Sequence, residues 1–170
     1  GRTPDYKASL MNALGANDAF YERFSDNAKA WYTRAQNYVL FMNHAIVNPP
    51  VDRAKAADQV KDVFITIQKE TDAGIYVSGA KVVATNSALT HYNFLGQNMG
   101  QEITDPSMVV MFIAPMDTPG IKLICRPSYE FAAAATGSPW DYPLTSRFDE
   151  NDAIFVFDNA IIPWENVIIH

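Results

Sequence analysis

A double proline, Pro49-Pro50, divides the chain into two parts whose apolar residues follow different periods. Two consecutive prolines do not continue an α-helix, because neither donates a backbone hydrogen bond and each biases the preceding residue to extended backbone. The apolar spacing is helical before them and alternates like a β-strand beyond Lys55. The stretch from Asn43 to Arg53, called the joint below, therefore connects two kinds of structure. Such connections carry functional side chains out of proportion to their length.

Two short helices are predicted at the start of the chain. Thr3 followed by Pro4 is a helix-start signal, with Thr3 as the N-cap and Pro4 at the first helical position. Gly15 is placed to end this helix in the left-handed conformation. The second short helix is predicted over residues 17–24.

A third and longer helix is predicted after a cap at Ser25 or Asp26, and it places His44 at its end. Its apolar residues recur at spacings of three and four and form one stripe. These residues are Ala28, Trp31, Ala35, Tyr38 and Met42. Aromatic residues at such spacing are typical of core packing, which is the interpretation adopted for Trp31, Tyr38 and Phe41.

Short strands separated by Pro and Gly signals are predicted beyond Lys55. They cover residues 63–68, 75–78, 81–85, 108–114, 121–125 and 153–162. Because no helix separates most of them, the pattern indicates an antiparallel barrel or sandwich. The predicted class is α+β, with an N-terminal helical part at 1–54 and a β-barrel domain at 55–170. The four alanines at 132–135 are too few to predict a helix.

Composition excludes several classes of protein. Of 170 residues, 48% are hydrophobic and 19% are charged, so the chain is globular rather than disordered. The net charge of -6 and the absence of a Lys/Arg cluster argue against nucleic acid and anionic membrane as partners. No apolar run approaches the roughly 18 residues that span a bilayer.

The single cysteine, Cys125, cannot form an internal disulfide and has no neighbours at metal-ligand spacing. A cytoplasmic location is therefore predicted. The chain starts at Gly1 without Met and stops in the apolar run Val167 to His170, which predicts a piece of a longer protein.

Three polar residues are candidates for a shared site: Arg2, Tyr6 and His44. Arg2 and Tyr6 flank a helix start, where free backbone N–H groups favour anions such as a carboxylate or phenolate. His44 titrates near neutrality and can exchange a proton in the working range. Structural roles remain open for each of them: a solvated arginine, a half-buried tyrosine and a hydrogen-bonded histidine. The polar, glycine-containing stretch 93–107 is either a mobile flap or a plain strand connection.

Several motifs resemble the family of oxygenase components typified by 4-hydroxyphenylacetate 3-monooxygenase, in order and over the full 170 residues. The matching stretches are Gly1–Tyr6, His44–Pro49, Asp52-Arg53, Val77–Lys81, Ala84–Ser87, Thr136–Pro139 and Ile162–Asn166. The resemblance implies a two-component monooxygenase: a separate reductase supplies reduced FAD, and O2 is used to hydroxylate a phenol ortho to its hydroxyl. It also implies a fold similar to acyl-CoA dehydrogenases, a homo-oligomer (a tetramer or dimer), and a C-terminal helical domain that this chain lacks.

The same resemblance implies the site residues. It places the phenolic substrate on Arg2, Thr3, Pro4, Asp5, Tyr6 and His44, with Arg2, Tyr6 and His44 as the catalytic group. It places FAD on His44, Ala45, Ile46, Pro50, Val51, Asp52, Arg53 and Thr85. The stretch 96–106 resembles a flap over the substrate.

Other interpretations of the sequence remain open. One is a halophenol or other aryl monooxygenase of the same fold, and another is a non-catalytic β-barrel module that binds or assembles. A third, 4-hydroxybutyryl-CoA dehydratase, needs an iron-sulfur cluster with several cysteines, and Cys125 alone argues against it.

Overall fold

A computed structural model of the chain describes residues 5–52, 54–97, 102–148 and 151–170, and for Asp5 and Tyr6 it describes the backbone only. Among these residues the α-helices are α1 (Asp5–Ala16), α2 (Ser25–Asn37) and α3 (Tyr129–Thr136). The strands are β1 (Met42–Ala45), β2 (Thr66–Thr71), β3 (Gly74–Lys81), β4 (Tyr92–Leu95), β5 (Met111–Pro115), β6 (Ile121–Cys125), β7 (Ala153–Pro163) and β8 (Val167–Ile169). Short 3₁₀ helices lie at Asp18–Phe24, Ala57–Val60, Ser87–Leu89, Pro106–Met108 and Trp164–Asn166.

The strands form two four-stranded sheets rather than a closed barrel, so the barrel prediction is wrong in this respect. The first sheet has the order β1-β4-β5-β8, with β1 parallel to β4 and the other pairs antiparallel. The second has the order β2-β3-β7-β6 and is antiparallel throughout. Alternation in a sequence shows that one face of a strand is buried, but it does not show whether a sheet closes.

The first sheet lies between two cores. Leu95, Phe112 and Val167 face the second sheet, where they join Phe155 and Phe157 in the larger cluster. Their sequence neighbours point to the opposite face, as strand geometry requires, and meet the helices. On that face the sheet and the helices share a second apolar cluster, which includes Met11, Leu14, Trp31, Met42, Phe94, Ile113 and Ile168. The order of layers is therefore helices, first sheet, second sheet.

The third predicted helix is too long. α2 ends at Asn37, Tyr38 has extended backbone, and Met42 lies in β1. Trp31 is buried as predicted, but Tyr38 is 64% exposed and Phe41 44% exposed, so the core prediction is wrong for these two. The helix could not continue because Met42 to Ala45 pairs with β4, a contact distant in sequence.

Two glycines have roles other than those predicted. Gly15 lies inside α1 and does not end it, and a Cβ there would come within 2.3 Å of the Tyr32 ring. Gly79 does not separate two strands. It forms a bulge within β3 at φ +123°, where a Cβ would lie 2.1 Å from the Phe64 carbonyl oxygen.

The remaining strand predictions agree with the structure to different degrees. β6 and β7 agree with the prediction almost residue for residue. The strand predicted at 81–85 is absent because β3 ends at Lys81, and β5 begins at Met111, after a 3₁₀ turn. The stretch 93–107 contains most of β4, and the alanine run is part of α3.

The division of the chain at residue 54 stays a prediction. β1 lies before this point and pairs with β4 beyond it.

Candidate functional site

A cavity of about 660 Å³ lies where α1, the end of α2 and β1 meet. Its lining residues are Lys7, Ala8, Met11, Ala35, Gln36, Tyr38, Val39, Leu40, Phe41, Met42, Asn43, His44 and Asn86. The volume lies within the range of small-molecule and cofactor sites, about 300–1,000 Å³. Of the predicted site residues whose side chains are described, His44 lies on its wall.

Lys7 contacts His44 in this cavity, through Nζ and the ring nitrogen Nδ1. A lysine ammonium only donates hydrogen bonds, so Nδ1 of His44 is the acceptor. The proton of the neutral imidazole then lies on Nε2, which makes Nε2 a hydrogen-bond donor. His44 was predicted at a helix end, but it lies in the middle of β1, where pairing with Phe94 fixes its backbone.

Asn43 also lines the cavity, and the nitrogen of its side-chain amide is buried with no hydrogen-bond partner among the described residues. A buried donor left unpaired costs about 1–3 kcal/mol. A ligand acceptor would remove this cost. The cavity wall therefore includes a polar group that suits a bound molecule.

Two neighbouring segments hold the first half of the joint in place. The Gly96 amide, just after β4, donates to the Ala45 carbonyl at 3.4 Å. The Val82 amide, just after β3, donates to the Val47 carbonyl at 2.9 Å. Residues 45–48 are therefore held between the ends of β3 and β4.

Lys81 adds a buried cation to this region, with 1% of its surface exposed. Its Nζ donates to Asn48 Oδ1 at 2.6 Å, to Gln97 Oε1 at 3.0 Å and to the Ile46 carbonyl at 3.4 Å. Burial lowers the pKa of Lys81 from its ordinary value to about 7. The buried lysine thus bonds to residues of the predicted flavin-binding stretch.

The second half of the joint faces solvent. Pro50, Val51 and Asp52 are exposed, and Arg53 lies outside the described residues. Asp52 accepts a hydrogen bond from the Ala54 amide at 3.0 Å and pairs with Lys55 at 3.5 Å. None of these three exposed residues lines the cavity.

Thr85 lies beyond the end of β3 and is buried. Its hydroxyl donates to Asp152 Oδ1 at 2.6 Å, and the residue does not line the cavity, although the neighbouring Asn86 does. Its predicted flavin contact stays a prediction.

The predicted substrate residues are described only in part. Arg2, Thr3 and Pro4 lie outside the described residues, and for Asp5 and Tyr6 the backbone alone is described, as the first turn of α1. Lys7 follows them directly and lines the cavity.

Three residues of this region were not selected from the sequence: Lys7, Asn43 and Lys81. Lys81 left the clearest signal, since it is the single charge within the otherwise uncharged run from Val77 to Ala84. Lys7 and Asn43 left none, because the contact of Lys7 with His44 and the burial of the Asn43 amide arise only in the packed fold.

Within the part of the chain that the structure describes, no cluster of His, Cys, Asp and Glu side chains suits a metal ion. The described helices are also too short or too polar to cross a membrane.

The family model for the N-terminal part of 4-hydroxyphenylacetate 3-hydroxylase matches residues 1–169. The chain is 67% identical to the oxygenase component of 4-hydroxyphenylacetate 3-monooxygenase of Pseudomonas aeruginosa, over 100% of this chain and 33% of that protein. It is 56% identical to the oxygenase component of 4-nitrophenol 2-monooxygenase of a Rhodococcus species, over 100% of this chain and 32% of that protein. The chain thus spans about a third of the length of these relatives.

Solved structures also resemble this chain. The oxygenase component of 4-hydroxyphenylacetate 3-monooxygenase complexed with FAD and 4-hydroxyphenylacetate superposes with a TM-score of 0.85 at 31% identity, over 99% of this chain and 35% of that one. A glutaryl-CoA dehydrogenase matches at 15% identity and a TM-score of 0.52, over 84% of this chain and 31% of that one, which confirms the predicted likeness in fold alone. The chain therefore belongs to the 4-hydroxyphenylacetate 3-hydroxylase N-terminal family.

Proposed function

We propose that the full-length protein is the oxygenase component of a two-component monooxygenase, which hydroxylates a phenol ortho to its hydroxyl. Reduced FAD, supplied by a separate reductase, would activate O2 for this reaction. The observation that carries the proposal is the cavity whose wall includes His44, in a chain that is 67% identical to a 4-hydroxyphenylacetate 3-monooxygenase oxygenase component.

The residues present fit a flavin. The amide nitrogen of Asn43, which has no partner among the residues that the structure describes, offers a donor in a residue of the cavity wall, and ring carbonyls and nitrogens of a flavin are acceptors. The backbone of Ala45 and Ile46 is fixed by the bonds to Gly96 and Lys81. A rigid backbone edge of this kind suits contact with a planar ring.

His44 would act on the phenol oxygen. With Nδ1 accepting from Lys7, its Nε2–H can donate to that oxygen and stabilise negative charge on it. Arg2 and Tyr6 would add a cation and a further donor, and together the three residues favour the electron-rich phenolate. The stretch 96–106 would cover the substrate and exclude water.

A homo-oligomer is part of the proposal. Large apolar side chains are exposed around α3, among them Phe131 at 73% and Trp140 at 93%. Large exposed apolar side chains that lie near one another in sequence are typical of a surface that other protein covers, and we propose a second copy of the protein as that cover.

The test uses the full-length protein and a flavin reductase. Reduced FAD is titrated under anaerobic conditions, and catechol and peroxide are then measured with 4-hydroxyphenylacetate under air. We expect tight binding and product, and we expect His44→Ala and Arg2→Ala to lower product while peroxide release persists. His170→Ala is the control, since His170 lies away from the cavity, beside Glu70. A protein that does not bind reduced FAD would overturn the proposal.

A second candidate substrate is a substituted phenol, favoured by the 56% identity to a 4-nitrophenol 2-monooxygenase component. A panel of 4-hydroxyphenylacetate, halophenols and 4-nitrophenol, with products identified by mass spectrometry, distinguishes the two.

A further inference from the structure

We infer that Lys81 is a positioning residue of the proposed flavin site: its buried ammonium holds the first half of the joint against the segment that follows β4. The inference rests on the function proposed above. It concerns a residue that does not touch the cavity and that acts through the joint.

The bonds of Lys81 join three separate segments. The lysine ends β3, Ile46 and Asn48 belong to the joint, and Gln97 follows β4. Gln97 in turn donates through Nε2 to the Met108 carbonyl at 2.6 Å, at the 3₁₀ turn before β5. Lys81 and Gln97 together thus link the joint to the segment that follows β4 and to the turn that precedes β5.

The number of donors decides how firmly these segments are held. An ammonium has three N–H donors, and Lys81 uses them on three acceptors. A neutral amine has only two, so deprotonation releases one of the three acceptors. The acceptor left behind would lose its bond to Lys81, which loosens the joint.

The surroundings of Lys81 favour deprotonation near neutrality. Among the described residues, the groups that face the ammonium are uncharged: the Ile46 carbonyl, Asn48 and Gln97, with Phe155 opposite on β7. Burial without a carboxylate brings the pKa of Lys81 to about 7. The three-way contact is therefore complete at mildly acidic pH and incomplete at mildly basic pH.

The first test compares the affinity of the full-length protein for reduced FAD at about pH 6 and about pH 8.5, on either side of the lysine titration. We expect Lys81→Met to bind about tenfold more weakly than wild type at the lower pH and to differ less from it at the higher pH. At each pH the protonation state of free reduced flavin is the same for wild type and Lys81→Met. The difference in affinity between the two proteins therefore reports on Lys81 alone.

The matched control is Lys122→Met. Lys122 lies on β6 of the same sheet as Lys81, is exposed, and pairs with Asp158 at 2.6 Å. This variant should follow wild type at both pH values. A merely structural loss would lower the affinity of Lys81→Met equally at both.

A second variant keeps the test decisive if Lys81→Met does not fold. Gln97→Glu places a carboxylate beside Lys81, which stabilises the ammonium and should shift the loss of affinity to higher pH. An unshifted pH profile in Gln97→Glu, or a Lys81→Met profile parallel to wild type, overturns the inference. Wild-type protein that binds no reduced FAD at either pH overturns the proposed function instead.

Discussion

At the scale of single residues, the contact between Lys7 and His44 determines what the histidine can do. An ammonium on Nδ1 leaves the imidazole proton on Nε2, the orientation needed to donate toward a phenol oxygen. Lys7 comes from α1 and His44 from β1, so the tautomer depends on how the helical layer sits on the first sheet.

Replacing Lys7 by Met should therefore reduce hydroxylation while His44 is still present. We expect the rate of hydroxylation to fall about tenfold, the effect of losing one hydrogen bond worth about 1.4 kcal/mol, and the yield of product per reduced FAD oxidised to fall with it. Peroxide should rise correspondingly. Product and peroxide are quantified with the full-length protein. Lys29→Met serves as the control, because it removes an exposed pair between Lys29 on α2 and Asp18 in the preceding 3₁₀ helix. Equal yields in Lys7→Met and wild type would remove Lys7 from the site.

Val83 is a strained residue close to the joint. Its φ is +56°, a conformation that β-branched side chains rarely adopt, and its side chain is 55% exposed. Such strain costs on the order of 1–3 kcal/mol.

Val83→Asn should stabilise the full-length protein by about 1 kcal/mol, because asparagine tolerates positive φ. The measurement is the urea midpoint of unfolding. Val109→Asn is the matched control, since Val109 is 41% exposed with an ordinary φ of -85°. If both substitutions change the midpoint alike, strain at Val83 is not the cause.

Residue chemistry explains how much of the site was predictable. His44 could be predicted because a titratable residue beside a double proline is visible in the sequence. Lys81 and Asn43 could not be assigned roles, since the acceptors of one and the missing partner of the other depend on the packed fold.

At the scale of elements, the close approach of α1 and α2 depends on Gly15. A Cβ at this position would lie 2.3 Å from the Tyr32 ring, so the helices can only pack this closely because the side chain is missing. Glycine lowers helix propensity by about 1 kcal/mol relative to alanine. Packing therefore outweighs propensity here.

Gly15→Ala should destabilise the full-length protein by about 1–3 kcal/mol in spite of its better helix propensity. In the Tyr32→Ala background the same substitution should become stabilising, because the ring that it meets is gone. The four proteins form a double-mutant cycle measured by urea unfolding. Equal effects of Gly15→Ala in both backgrounds would contradict the close packing.

Elements with local signals were predicted well and those made by distant pairing were not. β6 and β7 follow from alternation between turn signals, and both have the predicted bounds within a residue. β1 is only four residues long and exists through its parallel pairing with β4. A helical apolar stripe extends into β1 by chance, and no glycine cap after Asn37 signals the true end of α2.

At the scale of the whole molecule, the three layers place the proposed site between helices and sheet. The first sheet is covered on both faces, by α1 and α2 on one side and by the second sheet on the other. Lys81 lies at the end of β3 in the second sheet and reaches the joint that follows β1. A charge buried between layers makes the stability of the assembly depend on pH.

The sign of that dependence follows from the lowered pKa of Lys81. Its pKa is about 7 in the fold and near 10.5 in the unfolded chain, so between these values the unfolded chain binds more protons. The Lys81 contribution to stability therefore rises with pH from about 7 toward 10.5, by at most about 1.4 kcal/mol per pH unit.

The difference in unfolding free energy between wild type and Lys81→Met should isolate this contribution. The acceptors that lose their bond to Lys81 are uncharged, so the cost of that loss does not change with pH, whereas the cost of burying the ammonium does. We expect wild type to gain stability relative to Lys81→Met between about pH 7 and about pH 9, by on the order of 2 kcal/mol. Urea unfolding of both full-length proteins across this range measures the gain. A difference that stays constant with pH would mean that Lys81 keeps one charge state throughout the range, and that the fold holds its ammonium without cost.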